Sequence, residues 1–530
     1  MAVPAAASVR DVNWYRPPEL TGLVDLLDRH VRERPHARAL VVTGGRVQLS
    51  YRALAALADD VAARLGGTGL RRGDAVGLIC ANTAEFVVGM LGAARAGLVV
   101  APVDPALPES QLSARLEALG AQAVLLGPAA AGAPPIAPVR LPTWPLRVDV
   151  SRAGTAAVAL DTGTRLVRHA RGAAHELVGQ DALVLFTAGT TDRAKMVPLT
   201  HANVAASVRN ICATYELGPG DATVAVMPFF HGHGLFAALL ASLASGGCVL
   251  LPERGRFSAH TFWDDMRAAA ATWFTAVPTI YEILLDRSET ECPGPQPPPL
   301  KFVRSCSAPL NTATQRALER TLGAPLLSAY GMTESTHQAT SEPLPPRGPL
   351  KQGSVGRPTG VDLRVVDPDG LTCPAGAEGE VWVHGPTVAR GYLGNPAETA
   401  RSFADGWFRT GDLGSLDEDG FLSLTGRIKN LINRGGEKIS PEHVEDILAG
   451  CPGVAEAAVF ALPDATYGQR VGAAVVVRDG ESIGSQQILQ YCRDRLAAFE
   501  VPDRLDVVAA LPHTAKGALD RQAVEARYGR

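Results

Sequence analysis

At 530 residues the chain is too long for a single hydrophobic core, so two or more domains are expected. Composition is that of an ordinary globular protein, 46% hydrophobic and 20% charged, and Lys+Arg 50 against Asp+Glu 54 argues against a nucleic-acid footprint. The eight cysteines form no C-x-x-C pair and no metal-ligand spacing, which reads as reduced thiols in a cytoplasmic protein. The first twenty residues carry no apolar signal-like core, so no signal peptide is expected.

From Leu20 to about Ala182, helical and strand patterns alternate, which implies parallel sheets flanked by helices. Residues 54–65 have apolar residues at helical spacing, 74–80 form a short apolar strand, 84–96 are helical with Gly97 as C-cap, and 98–103 are the next strand. The Ala- and Pro-rich stretch 128–145 reads as a surface excursion. The apolar run 182–186 reads as a buried strand. It opens into Thr187-Ala-Gly-Thr-Thr-Asp-Arg-Ala-Lys195, with a new helix expected near Thr200. Backbone N–H groups, threonine hydroxyls and one cation converge there, as a polyphosphate requires. Taken alone, the loop fits a plain turn with incidental threonines equally well.

Further on, 224–234 reads as a strand running into a turn with His231 and His233. Residues 235–251 read as a buried helix, a Gly-Gly turn and a strand, too interrupted to span a membrane. Strands are expected at 273–277, at Phe302 before the turn Ser305–Pro309, and at 325–330. Strands that end in small-residue turns suggest a shared rim, where α/β proteins gather their sites. From Gly353 short strands and turns indicate a smaller β subdomain. The last hundred residues read as a compact α+β unit, with strands at 454–462 and 471–477 and a helix around 486–498.

Ordered blocks then carry a resemblance. Leu49-Ser-Tyr51, Ala96-Gly97 with Pro102, the 185–201 loop, Pro228-Phe-Phe-His231, Ser305–Pro309, Tyr330-Gly-Met-Thr-Glu334, Gly406-Trp-Phe-Arg-Thr-Gly-Asp412, and Gly426-Arg427 with Arg434-Gly-Gly436 occur in the right order. Over nearly its full length the chain resembles the AMP-forming acyl-CoA synthetase, adenylation-domain and luciferase superfamily. Within it, Met196-Val-Pro-Leu-Thr-His201, Met332-Thr-Glu-Ser-Thr-His-Gln338 and Leu431-Ile-Asn-Arg-Gly-Gly-Glu-Lys-Ile-Ser-Pro441 are most similar to oxalate-activating and related small-acid ligases. The resemblance implies a large N-terminal α/β domain over 1–426, with a β subdomain at about 353–426. It implies a hinge at 427–430, centred on Lys429, and a mobile α+β domain over 431–530.

The implied reaction has two steps: an acid attacks the α-phosphate of ATP to give an acyl-adenylate, and a thiol or amine then displaces AMP. Thr187, Gly189, Thr190, Thr191 and Lys195 would cradle the outer phosphates. Glu334 would hold Mg²⁺, a hard ion suited to carboxylate and phosphate oxygens, and Thr333 would bond the α-phosphate. Tyr330 would face adenine, with Ser307, Ala308 and Pro309 on its other side and Ser328, Ala329, Gly331 and Met332 completing the nucleotide site. Asp412 and Arg427 would hold the ribose. His231, Ser305, Gly331 and His337 would line the acid pocket. The loop Arg434-Gly-Gly-Glu-Lys438 would reach the site for transfer to CoA. Singly, each residue has a plainer reading: Glu334 as a loop carboxylate, Tyr330 as core, Asp412 as a turn cap, His337 as a surface histidine. His231 and His233 as a metal pair lack a third ligand.

Two departures stand out. The family's terminal lysine, which contacts the acid, is Ala518 here, in Leu511-Pro-His-Thr-Ala-Lys-Gly-Ala518. Losing one preorganised donor typically costs on the order of 10²–10³ in rate. Lys516, two residues earlier and ~6.6 Å away along an extended segment, is the candidate substitute. In the phosphate loop Ala188, Asp192 and Ala194 depart from the usual residues, and Asp192 beside a polyanion would cost roughly 1–4 kcal/mol unless neutralised. Three readings follow: a small-acid CoA ligase; an enzyme that activates nitrite for transfer to an aromatic amine; and a nucleotide-binding protein without turnover. Small-molecule substrates are expected, with neither nucleic acid nor membrane. Whether the protein is a monomer or a homodimer stays open.

Overall fold

The computed structural model describes residues 17–42, 47–150, 155–163, 166, 172–187, 194–288, 299–310, 312–478, 480–513 and 519–529. A seven-stranded sheet orders its strands Ala156–Leu160, Thr143–Val150, Ala123–Leu126, Ala75–Ile79, Val99–Val103, Asp181–Thr187 and Lys195–Thr200. The five central strands run parallel and each edge strand is antiparallel. Ala75–Ile79 and Val99–Val103 are buried at every position, as strands covered on both faces must be. Helix Ala84–Arg95, apolar nearly all round, packs beneath them against helix Tyr51–Gly66.

Two expectations are corrected here. Between the loop and the helix expected near Thr200, no strand is expected, yet Lys195–Thr200 forms an edge strand, where Pro198 is tolerated because no further strand needs its N–H. The excursion at 128–145 stops short of its expected end. Thr143–Val150 is a strand, and Trp144 and Leu146 are buried in the main core.

A second sheet pairs Ala222–Val224, Cys248–Leu250, Arg38–Val42 and Val47–Ser50. A third begins with three parallel strands, Trp273–Ala276, Phe302–Ser305 and Leu326–Tyr330, and adds the short antiparallel strands Thr340–Ser341 and Arg357–Pro358. The stretch after 353 forms an antiparallel sheet of Asp362–Val366, Gly379–His384, Trp407–Leu416, Phe403–Ala404 and Leu422–Arg427. From Ile432 the chain builds its own sheet and core, with Val444, Val459, Val475 and Ile488 at its centre. There the helix expected to run to about 498 is Ser485–Arg493 and ends five residues earlier, although Leu496 stays buried.

Where the two parts meet, Ser440 does double duty. It caps helix Pro441–Ala449 by accepting from the His443 N–H, and it donates to the Thr425 carbonyl at 2.5 Å. A Cβ on Gly426 would lie 2.3 Å from Ser440 Oγ, so only glycine permits this approach.

Candidate active site

The parallel strands Phe302–Ser305 and Leu326–Tyr330 lie side by side with Ser305 opposite Ser328, so their C-terminal turns share one rim. At the end of the second strand, the Tyr330 hydroxyl donates to Asp412 Oδ2 at 2.6 Å. Arg427 faces Asp412 across an antiparallel pair, and its Nε lies 2.6 Å from Oδ1. Burial pushes the Asp412 carboxyl above its usual range, against the pull of the Arg427 charge. Burial, reinforced by Asp412, also holds the Tyr330 phenol well above its ordinary value, so it stays a donor.

Tyr330 leads into a tightly folded loop. A Cβ on Gly331 would lie 1.5 Å from the His337 carbonyl oxygen, so the loop closes on itself only with glycine there. Thr336 and His337 both have positive φ, 51° and 83°. Such backbone costs about 1–3 kcal/mol per non-glycine residue. Three bonds offset it: Ser207 Oγ donates to the Thr336 carbonyl, Thr336 Oγ1 to the Thr387 carbonyl, and the His337 N–H to the Met332 carbonyl. Within this loop the short 3₁₀ turn Thr333–Ser335 carries Glu334.

Glu334 is buried, and its Oε1 accepts from the Tyr392 hydroxyl at 2.8 Å. Burial raises its pKa; the Tyr392 bond and the charge of Lys195 oppose that shift. Among the described residues no cation lies within ion-pair distance of this carboxylate. A buried carboxylate of this kind fits a Mg²⁺ site, because a cation would relieve its desolvation. Groups of three or more His, Cys, Asp or Glu that could hold a metal by themselves are absent among the described residues. A magnesium ion here would therefore take its remaining ligands from phosphate and water.

Lys195 does not stand free. Its Nζ donates to Glu398 Oε1 at 2.5 Å and lies 4.7 Å above the Tyr392 ring. That contact holds the Glu398 carboxyl below its usual range. Thr187 ends its strand directly opposite Lys195. The rest of the expected cradle, Gly189, Thr190 and Thr191, lies outside the described residues, as do Ala188, Asp192, Lys516 and Ala518. Ala194 is described and half-buried.

A second cluster brings together His233, Ser307, Thr275, Arg304 and His337. His233 Nδ1 lies 3.1 Å from Ser307 Oγ and its Nε2 lies 2.6 Å from Thr275 Oγ1. The His233 and His337 rings stack at 5.4 Å. His337 is buried, not a surface residue. His231 packs against Phe230, and both nitrogens of His233 are already committed to hydroxyls, so the two histidines do not form a metal pair. The Ser305 hydroxyl is buried without a partner among the described residues. Ser307 holds a positive φ of 76° at the tight turn before Ala308 and Pro309. Lys429 lies on the short turn Ile428–Asn430, two residues beyond Arg427. Arg434 is tied to Asp503 at 2.9 Å and to the Phe499 carbonyl.

Sequence reasoning missed Arg304, Tyr392 and Glu398. Arg304 had a visible signal, a charge inside an apolar strand. Tyr392 and Glu398 had none, since they reach the site only through tertiary packing.

A parallel-sheet rim, a buried Tyr330–Asp412 pair met by the exposed Arg427, and a carboxylate-bearing loop are the features to set beside known enzymes. The model of the AMP-binding enzyme family matches residues 27–393, and that of the AMP-binding enzyme C-terminal domain matches 443–518. The chain belongs to the AMP-binding enzyme family and is an AMP-forming ligase of the acyl-CoA synthetase superfamily. It is 41% identical over 515 residues to an oxalate–CoA ligase of Arabidopsis thaliana, covering 96% of this chain and 98% of the relative. It is 34% identical to a sulfoacetate–CoA ligase of Cupriavidus necator, covering 89% of this chain and 91% of that one. Its fold matches ATP-bound MatB from Rhodopseudomonas palustris with a TM-score of 0.81 at 30% identity, covering 96% of this chain and 99% of that chain. Among the described residues no helix is long and apolar enough to cross a membrane.

Proposed function

We propose that the enzyme activates oxalate, or a dianionic acid of similar size, with ATP and transfers it to CoA. The observation that carries this reading is the 41% identity, over nearly the whole of both chains, to an oxalate–CoA ligase. The donor-rich, cationic cluster around Arg304 and His337 supports it, since a second carboxylate needs donors rather than an apolar wall.

Tyr330 and the backbone of Ser307–Pro309 would flank adenine, with the Ser307 hydroxyl turned to the acid and Ser328, Ala329, Gly331 and Met332 shaping the floor. Asp412, oriented by Tyr330, would accept the ribose hydroxyls, and Arg427 would hold the same sugar. Lys195 and Thr187, with Gly189, Thr190 and Thr191, would take the outer phosphates, Lys195 exchanging Glu398 for phosphate. Bound Mg²⁺ would neutralise phosphate charge, and Glu334 would hold it. One carboxylate oxygen attacks the α-phosphorus beside Thr333, and pyrophosphate leaves. His231, Ser305, Gly331 and His337 would surround the acid, and Lys516 is the candidate contact that replaces the missing lysine. The region 431–530 would then turn about Lys429, the CoA sulfur would attack the acyl carbon, and AMP would leave.

Pyrophosphate release tests this. Purified protein receives ATP and Mg²⁺ with CoA plus oxalate, malonate or sulfoacetate, or with nitrite plus an aromatic amine. Release that is fastest with oxalate and oxalyl-CoA formation are expected. Release that requires nitrite, a reading the relatives above do not support, would overturn the proposal, and so would silence in every arm.

A further inference from the structure

Arg304 is fully buried, yet its hydrogen-bond partners among the described residues are all uncharged. Its Nε donates to the Tyr215 hydroxyl at 2.8 Å and Nη1 to Thr275 Oγ1 at 3.1 Å. Its Nη2 reaches His337 Nε2 and Gln338 Oε1, both at 3.1 Å. The Tyr215 hydroxyl lies within bonding distance of Gln338 Oε1 and Ser341 Oγ, so the fork is held on every side. A buried charge without a counter-charge is expensive and is seldom kept without a use.

Guanidinium only donates, which settles proton positions that coordinates alone leave open. His337 Nε2 must accept from Arg304, so the hydrogen of a neutral His337 ring sits on Nδ1. That nitrogen has no hydrogen-bond partner among the described residues. Thr275 is equally constrained. Its oxygen accepts from Arg304, and among the described residues the only other group its hydroxyl bonds is His233 Nε2, at 2.6 Å. A fully buried hydroxyl hydrogen needs an acceptor, so Thr275 donates to His233 Nε2. The His233 hydrogen then sits on Nδ1 and is given to Ser307 Oγ. The exposed Ser307 hydroxyl is left with its own hydrogen to offer outward.

We infer that Arg304 is a positioning residue for acid binding: it locks His337 directly, and His233 through Thr275, in the tautomers that turn the His337 Nδ1–H and the Ser307 O–H toward an incoming carboxylate. Burial, then the Arg304 charge, keeps both imidazoles well below their usual pKa and so neutral. Two donors set by one buried fork suit a planar dianion. This assignment rests on the oxalate reading for its ligand, but not for its proton positions.

The test uses the full chain labelled with ¹⁵N-histidine. Long-range proton–nitrogen spectra report the tautomer of each ring, and H337Q and H233Q spectra assign the two resonances. Both rings are expected neutral with hydrogen on Nδ1 in the substrate-free protein; hydrogen on Nε2 of His337 would overturn the inference. In kinetics, R304M is expected to raise KM for oxalate about 10- to 100-fold, the range for a lost charge-assisted bond, with KM for ATP changing less than about threefold. R304K keeps the charge but not the two-pronged geometry, and it should fail to restore oxalate affinity. Full restoration by lysine would refute tautomer locking. If R304M does not fold, the wild-type spectra and R304K still decide. Should the wild type show no oxalate-dependent pyrophosphate release while the spectra stand, the substrate reading fails and the proton assignment survives.

Discussion

Replacing Tyr392 by Phe deletes one oxygen and little else. The ring keeps its place beneath Lys195 at 4.7 Å and against Phe403 at 5.4 Å. What disappears is the 2.8 Å bond to Glu334 Oε1, a hydrogen bond to a buried carboxylate. A bond to a charged partner is worth about 1.5–3 kcal/mol, or roughly 10- to 150-fold in an equilibrium constant. The sign follows from the carboxyl itself. Burial already raises the Glu334 pKa, and the Tyr392 bond opposes that rise. Without the hydroxyl the carboxyl holds its proton to higher pH, and a protonated Glu334 cannot hold Mg²⁺. The acid limb of kcat/KM for ATP therefore moves toward alkaline pH. Y392F should be about tenfold or more slower than wild type on the acid limb, taking the low end of that range, with the deficit closing as pH rises and the carboxyl ionises. Stability runs the opposite way. A carboxyl with a raised native pKa favours the fold most below its unfolded value, and that advantage is lost as pH rises through the native one. Pyrophosphate release measured across pH on both proteins checks this. An unmoved acid limb in a folded Y392F would remove Glu334 from metal binding or Tyr392 from its support.

Other expectations follow from the same geometry. Asp412→Asn strips the buried charge between Tyr330 and Arg427 and should weaken ATP binding about 10- to 100-fold by calorimetry. Gly331→Ala drives a Cβ to 1.5 Å from the His337 carbonyl oxygen. Overpacking against fixed backbone should lower stability by about 1–3 kcal/mol or more, read from a denaturant midpoint. Glu398→Gln releases Lys195 from a partly exposed pair. Such pairs are worth only about 0–1 kcal/mol, so KM for ATP should fall by no more than about fivefold; a rise would mean that Glu398 positions the lysine rather than competing for it.

What the sequence made legible was contiguous. Tyr330 through Glu334 form one strand end and one turn, so their proximity was guaranteed by chain connectivity. Asp412 and Arg427 were readable as ordered blocks, but not that they face one another, because register across an antiparallel pair is a tertiary fact. The strand at 195–200 was not legible, because proline argues against a strand and the exemption for an edge depends on neighbours the sequence does not display. Glu398 meets Lys195 across 203 residues and Tyr392 meets Glu334 across 58, distances at which no periodicity carries information. Arg304 was visible as a charge in an apolar strand, whereas its four uncharged partners, drawn from three other segments, were not.

On the proposed acid site, the buried guanidinium would also act by refusal. An acid with an alkyl tail in place of a second carboxylate would strip water from the His337 Nδ1–H and the Ser307 O–H and leave those two donors facing methylene groups. Sites built to hydrogen-bond a substrate reject analogues that lack the matching group by as much as about 10⁴–10⁵, far beyond what a snug apolar pocket achieves against one missing methylene. Selectivity against the abundant monocarboxylates of a cell would then need no editing step and no tight steric wall, because the penalty would come with Arg304 on the strand Phe302–Ser305.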